Sequence, residues 1–185
     1  MNNITTVILD RDGVINFDSP DYILSPEQWQ PISGSLEAIA QLNKVGKQVT
    51  VCSNQSALGR GMIDQAMFDA IQAKMIAEVA QVGGRFDYIA YCPHSPDDGC
   101  VCRKPLPGML LETFKALQIS DLSSAVMIGD SYRDVQAAHA AGIAAILVRS
   151  GYGDADAIFK TSKKLMPHIQ MFANLADVTR FILED

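Results

Sequence analysis

The amino-acid sequence predicts an α/β protein built around a doubly wound parallel sheet. Short, continuous apolar runs, such as residues 4–9 and 125–129, are typical of strands that are buried on both faces. Between these runs lie segments in which apolar residues recur at steps of three and four, and this spacing indicates amphipathic helices. Strands and helices that alternate in this way form parallel sheets with right-handed crossover connections.

Strands and helices are predicted in strict alternation along the chain. The strands are expected at residues 4–9, 48–52, 87–91, 125–129 and 144–148. The helices are expected from residue 36 to about 46, from 64 to about 79, and over 109–117, 133–141 and 174–183. Asp64 is placed to cap the second helix, and Gly142 is placed to end the fourth. A long polar segment with Pro20, Pro26 and Pro31 follows the first strand, and we expect it to be a functional loop.

Length and composition are those of one ordinary globular domain, which we place at residues 1–185. The chain has 185 residues, of which 48% are hydrophobic and 19% are charged. Its net charge of −6 and the lack of a basic stripe argue against nucleic acid as a partner. No apolar run is long enough to cross a membrane, and residues 1–6 lack the features of a signal peptide. We therefore expect a cytoplasmic monomer with neither nucleic acid nor membrane as its partner.

The first predicted strand ends in two aspartates, Asp10 and Asp12, which are separated by one residue and followed by Gly13. Ligands of open α/β sheets bind at the carboxyl ends of the strands. Two carboxylates at such a position, beside a glycine that permits a sharp turn, suit a magnesium ion and a phosphoryl group. An acidic turn without a ligand is the alternative that this motif alone leaves open.

Polar residues follow four of the predicted strands, and the carboxyl ends of parallel strands share one edge of a sheet. The sets are Asp10 with Asp12, Ser53 with Asn54, Arg103 with Lys104, and Asp130 with Asp134. Each set alone is compatible with a turn, a helix cap or a solvated charge pair. Together they provide three kinds of group that magnesium-assisted phosphoryl transfer requires: acids that can bind the metal ion, a hydroxyl group, and a lysine.

Three of the four cysteines are clustered around one histidine. Cys92, His94, Cys100 and Cys102 form a Cys₃His set, which is typical of a closed, structural zinc site. The single-residue gaps in Cys-x-His and Cys-x-Cys are tighter than the common spacing, so reduced buried thiols or a disulfide remain alternatives. Cys52 stands alone in a predicted strand, where we expect it to pack in the core.

The polar motifs resemble, in their order along the chain, the four motifs of phosphatases in the haloacid dehalogenase superfamily. Residues 10–13 resemble the first motif, Ser53 the second, Lys104 the third and residues 129–134 the fourth. The resemblance implies a Rossmann-like sheet as the core of the fold. No large insertion follows the first or second motif, so no large cap domain is expected.

The same resemblance implies a role for each motif residue. Asp10 would be the nucleophile that forms an aspartyl-phosphate, and Asp12 would act as general acid and then as general base. Lys104 and the Ser53 hydroxyl would hold the phosphoryl oxygens. A catalytic magnesium ion would bind the Asp10 carboxylate, the Asp12 backbone carbonyl and Asp130.

The cysteine cluster narrows the resemblance further. Residues 92–102, followed directly by Arg103 and Lys104, resemble the zinc-loop branch of the superfamily, which contains heptose bisphosphate and histidinol-phosphate phosphatases. A structural zinc ion would brace this loop so that both basic side chains point at the magnesium site. Residues 53–61, including Arg60, resemble the second-motif loop of the heptose enzymes. The same resemblance implies that Arg103, the arginine before the motif lysine, would pair with the distal phosphate.

The implied activity is removal of the C7 phosphate from D-glycero-D-manno-heptose 1,7-bisphosphate, a small phosphorylated sugar on the pathway to ADP-heptose for lipopolysaccharide core or S-layer glycans. The implied substrate-binding residues are Asp18, Tyr22, Ser53, Asn54, Gln55, Ser56, Arg60, Arg103, Lys104 and Ser131. Ser131 stands where many family members have lysine, and Asp134 is expected to support the site or to stabilise its helix. The alternatives are a histidinol-phosphate phosphatase, a broader sugar phosphatase and, more remotely, a receiver-type signalling domain.

Overall fold

A six-stranded, all-parallel sheet forms the centre of this computed structural model, which describes residues 4–184. The strands are β1 (Thr6–Leu9), β2 (Gln48–Asn54), β3 (Tyr88–Cys92), β4 (Ala125–Gly129), β5 (Ala144–Val148) and β6 (Gln170–Phe172). They lie in the order β3-β2-β1-β4-β5-β6, so that β1 pairs with β2 on one side and with β4 on the other. The chain therefore winds outwards in both directions from β1, which confirms the predicted doubly wound sheet.

Helices connect the strands and cover both faces of the sheet. Within residues 4–184 they are α1 (Ser35–Lys44), α2 (Ser56–Gly59), α3 (Gln65–Gln81), α4 (Gly108–Ala116), α5 (Tyr132–Ala141), α6 (Ala155–Leu165) and α7 (Leu175–Glu184). Helices α1, α3 and α7 pack on one face, and α4, α5 and α6 pack on the other.

Side chains of the central strand alternate between these two cores. Val7 and Leu9 lie in the core beneath α1, α3 and α7, whereas Ile8 lies in the core beneath α4 and α5, and all three are fully buried. Both faces of β1 are therefore apolar, which is why its sequence is a continuous apolar run rather than an alternating one.

The predicted helix ends are confirmed by their backbone geometry. Asp64 precedes α3, and its side chain accepts a hydrogen bond from the Met67 amide. Gly142 follows α5 with a φ of 77°, the left-handed conformation that glycine adopts most readily.

Three elements of the structure, α2, α6 and β6, are absent from the sequence prediction. Strand β6 has only three residues, all half-buried at the edge of the sheet, so it lacks the continuous apolar run of the other strands.

Among residues 4–184, no helix is both long and apolar enough to span a bilayer.

The segment between β1 and α1 is tied to the body of the protein by α3. Its Trp29 is fully buried, and Lys74 of α3 donates hydrogen bonds to the carbonyl oxygens of Pro26 at 2.8 Å and Trp29 at 2.9 Å. This long loop therefore has a defined path along the edge of the sheet where the polar motifs are placed.

Candidate active site

The carboxyl ends of β1, β2 and β4 open into one cavity of about 460 Å³. It is lined by every residue predicted to take part in catalysis, magnesium binding or substrate binding: Asp10, Asp12, Asp18, Tyr22, Ser53, Asn54, Gln55, Ser56, Arg60, Arg103, Lys104, Asp130 and Ser131. The topology explains this convergence, because β1 lies between β2 and β4 and all strands point the same way. The predicted zinc ligands lie apart from this set, on the adjacent loop.

A buried lysine joins two carboxylates at the floor of the cavity. The Lys104 ammonium lies 2.7 Å from Asp10 Oδ2 and 2.6 Å from Asp134 Oδ1, and its side chain is only 2% exposed. Burial by itself would lower the pKa of Lys104, but the two carboxylates outweigh burial and raise it. The lysine therefore stays charged and holds both acids in place.

Asp134 is the third residue of helix α5. Its Oδ2 accepts hydrogen bonds from the Ser131 amide at 3.0 Å and the Ser131 hydroxyl at 2.7 Å. The bond from the Ser131 amide, together with the bond that the Ser131 hydroxyl accepts from the Asp134 amide, forms a capping box at the start of the helix. Burial favours the neutral acid, yet Lys104 and Ser131 together hold the pKa of Asp134 below its ordinary value. Asp134 thus supports Lys104 and stabilises its helix, in agreement with both roles expected for it.

Three acids at the floor of the cavity share a single contacting cation, Lys104. Oxygen atoms of Asp10, Asp130 and Asp134 lie within 4.8 Å of one another. Burial raises the pKa of Asp10 to about 6, and burial together with the charges of Asp134 and Asp10 raises that of Asp130 to about 8. A hard, oxygen-liganded cation such as Mg²⁺ fits this donor set, because it would relieve the repulsion.

Glycines on either side of Asp130 make room for its carboxylate. A Cβ atom would lie 2.6 Å from Asp130 Oδ2 at Gly13 and 1.8 Å from it at Gly151. Gly13 also has a φ of 80°, which L-amino acids with side chains rarely adopt. The glycine after the two aspartates is therefore required both for the turn and for the close approach of the Asp130 carboxylate.

Asp12 is oriented by a set of donors that surrounds its carboxylate. Arg11 Nε and Nη2 each lie 3.0 Å from a different oxygen of Asp12, while Asn16 and Gln55 each donate at 2.9 Å. Arg11 is only 1% exposed, whereas the Asp12 side chain is 21% exposed, so this bidentate ion pair is buried on the side of Arg11 and open to the cavity on the side of Asp12. Gln55 also donates to the Ser53 hydroxyl at 2.8 Å. The side chain of Gln55 therefore links Asp12 at the end of β1 to Ser53 near the end of β2.

The segment that carries Lys104 is fixed to β2 through its main chain. Asn54 donates to the Lys104 carbonyl at 3.0 Å and accepts from the Lys104 amide at 3.0 Å. This reciprocal pair sets the direction in which Lys104 enters the cavity.

The four predicted zinc ligands converge in one cluster. Their ligand atoms lie within 4.8 Å of one another, with Cys92 Sγ 3.1 Å from Cys102 Sγ and His94 Nδ1 3.3 Å from Cys102 Sγ. The cysteines are not joined by a disulfide. Burial raises the pKa of the Cys92 thiol to about 12, so a soft cation would be needed to stabilise its thiolate. The donor set fits Zn²⁺.

The predicted core position of Cys52 is confirmed. Cys52 is fully buried beneath α4 and contacts the Thr113 hydroxyl at 3.3 Å, away from the other cysteines.

Carbonyl groups of the cysteine loop, which we define as residues 92–102, accept hydrogen bonds from the segment that follows β2 and from Arg103. The carbonyl of Cys92 accepts from the Gln55 amide at 2.7 Å, and that of Pro93 accepts from the Gly59 amide at 3.0 Å. The His94 carbonyl accepts from Arg103 Nη1 at 3.0 Å. A Cβ at position 59 would lie 2.3 Å from the Pro93 oxygen, so only glycine permits this contact.

Comparison with known proteins places the chain among phosphatases. The HAD-hydrolase-like family model matches residues 101–178. The D-glycero-beta-D-manno-heptose-1,7-bisphosphate 7-phosphatase of Pseudomonas putida is 45% identical over 178 residues, which cover 96% of this chain and 98% of the relative. The enzyme of the same name from Bordetella bronchiseptica is 49% identical over 147 residues, which cover 80% and 82% of the two chains. The chain belongs to the family of heptose 1,7-bisphosphate 7-phosphatases.

Solved structures of heptose bisphosphate phosphatases have the same fold. The B. bronchiseptica enzyme, complexed with magnesium and phosphate, matches with a TM-score of 0.91 and 42% identity over 98% of this chain and 99% of that one. The Burkholderia thailandensis enzyme matches with a TM-score of 0.72 and 32% identity over 98% and 99%. Membership of a phosphatase family rules out the receiver-domain alternative.

The cavity of this heptose bisphosphatase family member also contains residues that were not predicted. Arg11 lies between the two aspartates of the first motif, but only its burial reveals the ion pair with Asp12. Arg133, in the first turn of α5, and Tyr152, after β5, line the same cavity. Its position within the fourth motif, residues 129–134, is the one sequence signal that points to Arg133.

Proposed function

We propose that this protein is a magnesium-dependent phosphatase that hydrolyses the C7 phosphate of D-glycero-D-manno-heptose 1,7-bisphosphate on the pathway to ADP-heptose. The observation that carries the proposal is the placement of Asp10, Asp12, Ser53, Lys104 and Asp130 in one cavity. Relatives named for this reaction are 38–49% identical over most of the chain, which supports the choice of substrate.

Magnesium would be held by the Asp10 carboxylate, the Asp12 backbone carbonyl and the Asp130 carboxylate. The bound ion would neutralise charge on the phosphate as the anionic nucleophile approaches. The excess of buried acids over buried cations at this position supports such a site.

Asp10 is placed to attack phosphorus. One of its carboxylate oxygens forms a bond to phosphorus, the bond between phosphorus and the C7 oxygen breaks, and Asp12 donates a proton to that leaving oxygen. Lys104 and the Ser53 hydroxyl hold the phosphoryl oxygens during the transfer. Lys104 is already 2.7 Å from Asp10, so it is adjacent to the atom at which the phosphoryl group arrives.

Hydrolysis of the resulting aspartyl-phosphate returns the enzyme to its first state. Asp12, now a carboxylate, removes a proton from a water molecule, whose oxygen attacks phosphorus while the bond to Asp10 breaks. The donors Arg11, Asn16 and Gln55 fix the orientation of Asp12 for both steps.

Zinc bound by Cys92, His94, Cys100 and Cys102 would have a structural role in this proposal. It would fix residues 92–102, and through them Arg103 and the loop after β2. We further propose that the enzyme acts in the cytoplasm, because a doubly phosphorylated sugar carries too much charge to leave the compartment in which it is made. A monomeric state, as predicted from the sequence, is part of the same proposal.

Phosphate release tests the proposed function. It should be measured with magnesium on both anomers of heptose 1,7-bisphosphate, on histidinol phosphate and on fructose 1,6-bisphosphate. We expect one heptose anomer to give the highest kcat/KM, and the Asp10→Asn variant to lose at least about 10⁴-fold of this activity. A higher kcat/KM on histidinol phosphate would disprove the substrate, and full activity of Asp10→Asn would disprove the nucleophile.

A further inference from the structure

A second cavity, of about 360 Å³, adjoins the proposed active site. It lies between the cysteine loop and the start of α5, and its lining includes Pro96, Cys100 and Leu106. Arg103, Lys104 and Arg133 line both cavities, so these basic residues mark the junction between them.

The deeper basic residues are already engaged by acids. Lys104 contacts Asp10 and Asp134, and Arg11 contacts both oxygens of Asp12. These side chains are 2% and 1% exposed, respectively. Neither offers a cation to a second anion at the mouth of the cavity.

Arg133 differs from them in both respects. It is exposed in the first turn of α5, and its guanidinium group forms no hydrogen bond or ion pair with any residue in the range 4–184. Arg103 is half-buried, and one of its nitrogens is fixed by the His94 carbonyl while the others remain available. Arg60 is also exposed, but it lines the active-site cavity and not the second cavity.

We infer that Arg133 binds the distal phosphate of the bisphosphorylated substrate, beside Arg103, for which the family resemblance already implies this contact, and that Arg133 sets the preference for bisphosphates over monophosphates. The inference rests on the proposed function, in which the reacting phosphate lies at Asp10. The second phosphate is attached at the other end of the sugar and must lie towards the mouth. Guanidinium groups match phosphate oxygens through paired N–H donors, and two arginines at the junction provide them.

The selectivity of an Arg133→Gln variant tests this inference. The kcat/KM values for heptose 1,7-bisphosphate and heptose 7-phosphate, which share the reacting group, should be measured for the wild type and the variant. We expect the ratio of the two values to fall about tenfold or more, mainly through KM for the bisphosphate. Arg133→Lys should restore part of the ratio, because it keeps the charge but loses the paired donors.

Controls separate this inference from the proposed function. Arg180→Gln removes an exposed arginine on α7, and its ratio should match that of the wild type. If the wild type does not prefer the bisphosphate, the proposed substrate is wrong. If the wild type prefers it and Arg133→Gln keeps the same ratio with an unchanged melting temperature, the role of Arg133 is wrong while the proposed function stands. Heptose 1-phosphate, which carries only the distal group, provides a readout that does not depend on turnover. Weaker binding of this compound to Arg133→Gln than to the wild type, measured by calorimetric titration, would support the inference, and equal binding would contradict it.

Discussion

The two candidate metal centres are built in opposite ways. The carboxylate centre lies at the ends of β1 and β4, where Asp10 and Asp134 contact a buried lysine and Asp130 lies beside the two acids. In the thiolate centre, Cys92 is the last residue of the edge strand β3, while His94, Cys100 and Cys102 lie on the loop that follows, and His94 is exposed. The first centre is positioned by two central strands, whereas the second joins a loop to the end of an edge strand.

This difference assigns separate tasks to the centres. Hard carboxylate oxygens beside an open cavity suit a metal that assists chemistry on a phosphate, whereas four soft donors satisfy a structural ion completely. The loop of the thiolate centre contacts Gln55, Gly59 and Arg103 through its carbonyls. We therefore expect changes at the carboxylate centre to affect rate most, and changes at the thiolate centre to affect stability and substrate binding.

Among the changes that compare the two centres, Lys104→Met is expected to have the largest effect on stability. This change leaves the buried acids Asp10 and Asp134 without their counter-charge, so the free energy of unfolding should fall by about 3–5 kcal/mol. Phosphatase activity should fall by about 10³-fold, because a donor to the phosphoryl oxygens is lost. Urea unfolding and phosphate release would measure the two effects, with Lys115→Met on the exposed surface of α4 as a control. Equal behaviour of both variants would contradict the account.

Loss of a zinc ligand should have a smaller effect on the fold. In Cys100→Ser, we expect bound zinc to fall from about one ion per chain to a small fraction of that, and the melting temperature to fall by about 5 °C or more. Metal analysis and calorimetry would test this. Cys52→Ser, which removes the cysteine outside the cluster, should retain its zinc. Full zinc content in Cys100→Ser would disprove the assignment.

Magnesium affinity should rise with pH. Burial raises the pKa of Asp10 to about 6 and that of Asp130 to about 8, so at pH 6 the metal must displace protons that are absent above pH 8. Lys104 and Asp134 keep their charges throughout this range, because the pKa of the first is raised and that of the second lowered. Calorimetric titration should therefore show binding that is about tenfold tighter, or more, at pH 8 than at pH 6.

The free energy of unfolding of the metal-free protein should fall as the pH rises, which is opposite in direction to the change in magnesium affinity. A carboxyl group whose pKa is raised by folding stabilises the fold at pH values below its ordinary pKa. That contribution is lost as the pH rises towards the folded value. The gain in melting temperature on adding magnesium should accordingly grow from pH 6 to pH 8. A gain that is independent of pH would show that these acids do not bind the ion.

The smallest effect is expected from Asn54→Ala. The change removes both hydrogen bonds that join the end of β2 to the main chain of Lys104, at a cost of about 1–2 kcal/mol of unfolding free energy. KM should rise more than kcat falls, because Lys104 loses a constraint but not its charge. Gln41→Ala on the exposed face of α1 serves as control. No change in either kinetic constant would mean that the pair does not position Lys104.

The carboxylate centre could be predicted from the sequence because parallel strands bring their carboxyl ends to one edge. Asp10, Ser53 and Asp130 each follow an apolar run, so the fold class alone places them together. The partners of these residues could not be predicted, because the pairing of Arg11 with Asp12 depends on burial. Strand β6 was missed for a different reason, since its half-buried residues have no continuous apolar pattern.

The most direct test of the account is to identify the residue that carries the phosphoryl group. Asp12→Asn should form the aspartyl-phosphate with a reactive phosphate ester but should fail to activate water, so the intermediate should accumulate. Acid quenching, proteolysis and mass spectrometry should then find the added phosphate on the peptide that contains Asp10, and Asp10→Asn in the same background should abolish it. Phosphate on another residue, or product formation by Asp10→Asn, would contradict the account.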